Sequence, residues 1–300
     1  MAVAAEQRYP SPLRYPGGKG KVANYIKLVI LDNDLVGCDY VEPYAGGASI
    51  ALSLLFEEYA DRVHINDLNR GVFSFWDAAL RDPDSLCRRI SSTHLSIGEW
   101  EKQRKVQRDP DAEPLDLAFS TFFLNRTSRS GIIGGGVIGG MDQSGQWKID
   151  ARFNRDQLIR RIQKIGRFAS RITLTRLDAA EYLVEVLSHI ETPFVYLDPP
   201  YYAKGARLYE NSYSARDHEA VAAIVRALRV PWVVSYDAEP EVAELYAGYA
   251  RVDYDLHYSA AAENLQGSEF MFFSPGLATP SVGSPAGIPS SLVDDVRLAI

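Results

Sequence analysis

A chain of 300 residues with a formal net charge of -7, 46% hydrophobic and 24% charged, has the balance of an ordinary globular protein, not of a disordered or fibrous one. No run of about 18 apolar residues is present, and the stretch from Met1 to Arg8 lacks the basic start and apolar core of a secretory signal. Cys38 and Cys87 alone make neither a disulfide framework nor a metal-ligand set, so a reduced, cytoplasmic, metal-free α/β protein is expected.

Near the start, Tyr15-Pro16-Gly17-Gly18-Lys19 precedes an apolar-periodic stretch through Val22, Tyr25, Ile26, Val29 and Ile30, which predicts a helix. Paired glycines let backbone approach a ligand closely, and Lys19 at a helix start offers a site for an anion. The GxxxxGK[ST] spacing of a phosphate-binding loop is absent. Tyr40-Val41-Glu42-Pro43-Tyr44-Ala45-Gly46-Gly47 then leads into a helical run from Ile50 to Glu58. Strand, small-residue turn and helix open a nucleotide-binding βαβ unit; the turn is not GxGxxG, so a dinucleotide is not implied. About 20 residues on, Val63-His64-Ile65-Asn66-Asp67 predicts a second strand ending in an acid, the placement that takes both hydroxyls of a ribose. Capping the helix from Asn69 to Leu80 is the other use of Asp67.

From Asp82 to about Arg167 the βα rhythm fails. A polar helix around Ile97 to Gln107, the stretch Phe119 to Gly131 and the glycine-dense Gly134 to Gly140 show no apolar periodicity and predict a surface insert facing something polar and charged. Basic residues crowd here: Lys102, Arg104, Lys105 and Arg108, then Arg126 and Arg129, then Arg155, Arg160, Arg161 and Lys164. Phosphate contact and a solvated helix face are both open readings for the last group.

The sheet resumes with Arg171 to Asp178, another strand ending in an acid, and a helix is predicted from Ala179 to Leu187. Phe194-Val195-Tyr196-Leu197 reads as a buried strand that Asp198-Pro199-Pro200-Tyr201-Tyr202 cannot continue, because proline donates no ladder hydrogen bond. Asp198 and the Pro199 carbonyl form an acceptor pair suited to an amino group held by both hydrogens, with Tyr201 as a stacking face. Two such acceptors would favour a pyramidal nitrogen with its lone pair free to attack. A helix (Ala215 to Leu228), a strand (Trp232 to Tyr236), a helix (Glu239 to Tyr246) and a hairpin (Val252 to Tyr258 with Phe270 to Phe273) follow. From Pro275 the chain is rich in Pro, Gly and Ser, and a flexible tail is expected.

In this order the motifs closely resemble the Dam-type, alpha-class DNA adenine methyltransferases. The resemblance implies a Rossmann-like α/β S-adenosylmethionine-dependent methyltransferase sheet built from residues 1–81 and 168–274, with a helical and loop target-recognition insert over 82–167 and a tail over 275–300. It implies S-adenosylmethionine as cofactor, with Tyr15 and Lys19 at its methionine end and Glu42, Tyr44 and Gly46 in a cofactor motif. Asp67 would take the ribose, Asp178 would approach the adenine, and Asp198 would border the cofactor. Asp198, Pro199, Pro200 and Tyr201 would hold a flipped adenine during transfer. Arg126, Arg129, Arg155, Arg160, Arg161 and Lys164 would meet the phosphates of double-stranded DNA, bound by a monomer or weak dimer. The insert's NRTSRSG matches the family's Asn-Arg-x-x-x-Asn-Gly only in part, so no target sequence carries over. Methyltransferases of cytosine, RNA adenine or glutamine amines, and silent DNA-binding homologues, are the alternatives; the acid at 198 favours adenine.

Overall fold

The computed structural model describes residues 10–14, 19–202, 213–258 and 265–299. Seven strands, β1 (Cys38–Glu42), β2 (Ala60–Asn66), β3 (Ile172–Thr175), β4 (Pro193–Leu197), β5 (Trp232–Asp237), β6 (Ala250–Tyr258) and β7 (Leu265–Phe273), form one sheet. Their order is β3-β2-β1-β4-β5-β7-β6, with the first five parallel and β7 antiparallel to both β5 and β6. The expected Rossmann-like α/β sheet is therefore present, closed by the expected hairpin. The chain runs outward from β1 to β3 and returns to β4 on the other side of β1. Ligands of such sheets bind at this reversal, outside the carboxyl ends of the strands.

Both faces of the sheet are covered, which is why β4 shows no polar alternation. Phe194 and Tyr196 point into one core while Val195 and Leu197 point into the other. The first core is shared with α1 (Ala23–Asp32), α2 (Ser49–Phe56) and α3 (Arg70–Arg81); the second with α9 (Ala215–Ala227) and α10 (Pro240–Leu245). Among the described residues no helix is long and apolar enough to cross a membrane.

Three expectations are corrected. Residues 82–167 hold α4 (Pro83–Ser92), α5 (Ile97–Arg108), α6 (Pro114–Thr127) and α7 (Arg155–Arg167), helical as expected but sharing the core, not a surface piece. α6 is buried at every residue from Leu117 to Thr127, and Phe119, Phe122 and Phe123 share the core of Tyr40 and Phe194. It lacks a 3.6-residue period because no side of it faces water. α7 packs Leu158, Ile162 and Ile165 into the same core as the crossover helix before β3. The second correction concerns the predicted helix from Ala179, which is broken into α8 (Ala179–Glu181), a π turn (Tyr182–Val186) and a 3-10 turn (Leu187–His189).

The third concerns the tail, which is packed. Asn33 Nδ2 donates to the Ala278 carbonyl at 3.0 Å and Asn24 Nδ2 to the Ile288 carbonyl at 2.7 Å, while α11 (Ser290–Ala299) buries Val293. Arg297 reaches the Glu57 carbonyl at 3.0 Å with its guanidinium over the Tyr59 ring. Composition hid this because the anchoring apolar residues, Leu277, Val282, Ile288 and Val293, are spaced singly among Pro, Gly and Ser.

Candidate active site

At the reversal of strand order, β1 ends in Glu42 and β4 is followed at once by Asp198. Asp198 Oδ1 accepts from Ser235 Oγ at 3.0 Å and lies 3.2 Å from Lys19 Nζ. Since Ser235 Oγ has one proton and gives it to the carboxylate, the Tyr196 hydroxyl 2.8 Å away must donate to the serine. Burial pushes the Asp198 carboxyl up to about 6; Glu269 adds to the rise, and Lys19 and Ser235 oppose it. Its side chain is still 22% exposed, so an incoming group can reach it.

Lys19 opens a 3-10 turn (Lys19–Val22) and is wedged between Asp198 and Glu269 of β7. Burial works against its charge, but the two carboxylates outweigh it and hold the ammonium's pKa above its ordinary value. Tyr201 is buried, its ring 5.7 Å from Lys19 Nζ and its hydroxyl donating to Glu269 Oε1 at 3.1 Å. Tyr254 donates to the other oxygen at 3.0 Å. The motif reading gives Glu269 no role, although Gly267-Ser268-Glu269-Phe270 loosely fits the closing segment of the resembled family. One signal was available: Glu269, Met271 and Phe273 alternate onto the same buried side of β7, and an acid in such a series asks for a partner.

On the other side of the crevice, Glu42 Oε1 accepts from the Tyr40 hydroxyl at 3.1 Å, whereas buried Oε2 has no hydrogen-bond partner. Burial pushes this carboxyl up to about 8. An orphaned carboxylate oxygen at the strand edge fits the ammonium of an amino-acid-bearing cofactor. Gly46, left-handed at φ 46°, turns its N–H to Asp67 Oδ2 at 2.8 Å, and Asp67 Oδ1 accepts from Asn69 N at 2.9 Å. Asp67, pushed up to about 6 by burial, thus braces the cofactor turn, and each oxygen keeps a lone pair for a hydroxyl. The helix cap belongs to Asn69, whose side chain accepts from Val72 N. Asp178 caps its own turn through Ala180 N at 2.9 Å, beside the end of β3. Tyr44 shares a hydroxyl contact of 3.0 Å with Tyr213. Tyr15 lies outside the described residues.

Asn66, also overlooked, joins these strand ends. Its Nδ2 donates to the carbonyls of Pro43 and Leu177, both at 3.0 Å, and its Oδ1 accepts from Leu177 N at 2.9 Å and Thr175 Oγ1 at 2.8 Å.

The expected DNA-contacting residues do not form one face. Arg126 is 7% exposed, donates to the Pro12 carbonyl at 2.6 Å and is lowered to about 9 by burial and by Arg161, Arg14 and Arg152. Arg155 ties down the end of α4 through the Ile90 and Thr93 carbonyls at 2.9 and 2.7 Å. Lys164 sits 4.1 Å over the Phe56 ring, near the start of β2 and so at the sheet edge opposite the site. Arg126 is buried, while Arg155 and Lys164 are half-buried with their charged ends on carbonyls and a ring. Arg161 reaches the Ser11 carbonyl at 3.0 Å, while Arg129 and Arg160 are exposed.

A groove of about 620 Å³ gathers cations instead from α5 and the glycine loop, lined by Trp100, Arg104, Lys105, Arg108, Arg129 and Met141. A short hairpin holds Arg129 there, with Arg129 N donating to the Gly136 carbonyl at 2.9 Å. A Cβ at Gly136 would stand 2.6 Å from the Arg129 guanidinium, so a larger residue there would displace it.

A doubly covered sheet with a cofactor crevice at its reversal, and a carboxylate followed by two prolines at the lip, defines an S-adenosylmethionine-dependent methyltransferase of exocyclic amines. Residues 15–261 match the model of the D12 class N6 adenine-specific DNA methyltransferases, and the chain belongs to that family. The Type II methyltransferase M.MjaIII of Methanocaldococcus jannaschii is 24% identical over 203 residues, 63% of this chain and 68% of that protein. Similar solved structures include a candidate RNA methyltransferase from Pyrococcus horikoshii, at 11% identity and TM-score 0.43 over 87% of this chain and 86% of that one. Another is a candidate class I S-adenosylmethionine-dependent methyltransferase from Listeria monocytogenes, at 10% identity and TM-score 0.39 over 93% and 68%. The reaction of this chain is methyl transfer from S-adenosylmethionine to N6 of adenine in DNA.

If the orphaned oxygen of Glu42 takes the cofactor's ammonium, binding carries a pH signature. With its carboxyl at about 8 when empty, pairing with an ammonium requires a proton to leave. S-adenosylmethionine affinity should therefore rise roughly tenfold per unit from pH 6 towards 8, with proton release on binding, and fall again above that as the cofactor's own amino group loses its proton. Titration calorimetry in buffers of different ionisation enthalpy checks this; a flat profile would remove Glu42 from the ammonium site.

Proposed function

We propose that Asp198 and the Pro199 carbonyl grip the N6 amino group of an extruded adenine, with Tyr201 beside the ring. The observation that carries this is the placement of Asp198, at the lip where strand order reverses, aimed by Ser235 and Lys19 and open on one side. S-adenosylmethionine, when bound, supplies a sulfonium methyl whose departure leaves a neutral thioether. Held by acceptors on both N–H bonds, the amine has its lone pair free for the new C–N bond, and proximity does most of the work. The amine must then lose a proton, and Asp198 at about 6 is the nearest carboxylate able to take it and pass it to water. Glu42 holds the ammonium end, while Gly46 and Asp67 line the ribose and Asp178 the adenine of the cofactor.

Double-stranded DNA meets the enzyme, in this reading, along the groove between α5 and the glycine loop. Arg104, Lys105, Arg108 and Arg129 face a single acid there, Glu101, in a chain whose net charge is -7. Such local concentration is what phosphate binding needs, and extruding a base costs a few kcal/mol that backbone contacts must offset. The Arg104→Ala, Arg108→Ala double variant should lower the slope of log affinity against log salt by roughly 2, whereas Lys164→Ala should leave it unchanged. Fluorescence anisotropy of a labelled duplex over a salt series measures both. Equal slopes for the double variant and the wild type would move the duplex elsewhere.

A further inference from the structure

We propose that Glu269 is a positioning residue for methyl transfer, fixing the Tyr201 ring and drawing Lys19 partly away from Asp198 so that the Asp198 lone pairs remain available to the amine. The proposal rests on the reading of Asp198 as the amine's acceptor. Glu269 lies on β7, beyond the residues 15–261 that match the family model.

The carboxylate is wholly shielded from solvent and surrounded by donors: Lys19 Nζ and Tyr254 on Oε2, Tyr201 on Oε1. A buried acid is costly in a strand whose inward neighbours, Met271 and Phe273, are apolar, so a merely structural position would be filled more cheaply by another apolar side chain. Its connections run to the site. Through the Tyr201 hydroxyl it fixes the rotation of the ring directly after Pro199-Pro200. Through Lys19 it acts on Asp198: an ammonium with a single carboxylate to serve would close fully on Asp198, 3.2 Å away, and occupy the lone pairs the amine needs. Shared between two carboxylates, Lys19 orients Asp198 without claiming it.

The groups acting on Asp198 come from every neighbouring element: Lys19 from the 3-10 turn, Glu42 from β1, Tyr196 from β4, Ser235 from β5, Tyr254 from β6 and Glu269 from β7. Glu269 raises the Asp198 pKa and Lys19 lowers it. Neutralising Glu269 removes the first effect and strengthens the second, so both changes push Asp198 down.

The test is the single-turnover rate of the full chain on a hemimethylated or unmethylated duplex across pH 4.5 to 9, for the wild type, Glu269→Gln, Glu269→Asp and Tyr254→Phe. For Glu269→Gln we expect the rate at pH 8 to fall on the order of a hundredfold, with S-adenosylmethionine affinity by calorimetry changed less than about threefold. Its acidic limb should move about one unit below that of the wild type, because a carboxylate that titrates lower keeps its acceptor form to lower pH. Tyr254→Phe keeps the charge and should keep the limb in place. Glu269→Asp also keeps the charge, so it decides the question if Glu269→Gln does not fold: a limb in place with a reduced rate is expected, and a wild-type rate would overturn the proposal. A slow Glu269→Gln with an unmoved limb would overturn it too, as would an equal shift in Tyr254→Phe, since either would make Glu269 ordinary packing. Asp198→Asn separates the underlying reading: if it turned over with the wild-type acidic limb, that limb would belong to another group and the acceptor assignment itself would fail.

Discussion

Asp198→Ala is expected to lose methyl transfer by at least a thousandfold while the protein stays folded and still binds S-adenosylmethionine within about tenfold. The carboxylate is a partly exposed charged acceptor directly after β4, aimed by Ser235 and Lys19. The turn held by Asp67 makes no contact with Asp198, and Glu42, the proposed partner of the cofactor's ammonium, feels Asp198 only through its charge, which raises the Glu42 carboxyl. Stability should not suffer. A folded-state pKa of about 6, above the ordinary carboxylate value, means that ionising Asp198 weakens the folded state as pH rises from about 4 to about 6. At pH 8 the variant is freed of that cost, and Lys19 keeps Glu269 as its partner. Transfer of labelled methyl to duplex DNA, calorimetry and a melting curve at pH 8 check the three parts. Turnover within tenfold of the wild type would dismiss Asp198 as the acceptor.

The sheet is legible in the sequence because three of the parallel strands, β1, β2 and β4, stop at or just before an acid or amide: Glu42, Asn66 with Asp67, Asp198. Those stops mark one edge of the sheet, so the motifs found along the chain meet in space. What stays hidden depends on partners far away in sequence. α6 hides because burial on all sides erases its periodicity, and the packed tail hides because its anchors stand one at a time. Arg126, Arg155 and Lys164 read as a phosphate-binding run because charge is visible in a sequence, whereas the carbonyl or ring a guanidinium or ammonium ends on is not. Glu269 and Lys19 lie 250 residues apart and become a pair only when β7 inserts between β5 and β6. Local pattern reports where the chain turns; it does not report which buried polar group answers another across the sheet.

Asn66→Ala should be the most damaging single change outside the chemistry, costing roughly 3 to 5 kcal/mol of stability. The side chain is 1% exposed and uses all four of its hydrogen-bonding capacities, two donated and two accepted. Alanine would take this partner from the Pro43 carbonyl, both backbone groups of Leu177 and the Thr175 hydroxyl, at about 1 to 3 kcal/mol for each group left unmet, most of all at the fully buried Pro43 bond. Urea unfolding of the variant beside Thr175→Val, which removes only one of those bonds, measures the difference; a loss below about 1 kcal/mol for Asn66→Ala would mean that packing alone holds the strand ends. Activity should suffer in the same variant for a traceable reason. Pro43 leads into the turn whose Gly46 N–H is held by Asp67, and Leu177 precedes Asp178, so one amide sets the spacing of the strand ends that carry the cofactor's proposed contacts. Released from it, the β1 and β3 loops can drift independently, and S-adenosylmethionine affinity should fall about tenfold even at temperatures where the variant is fully folded.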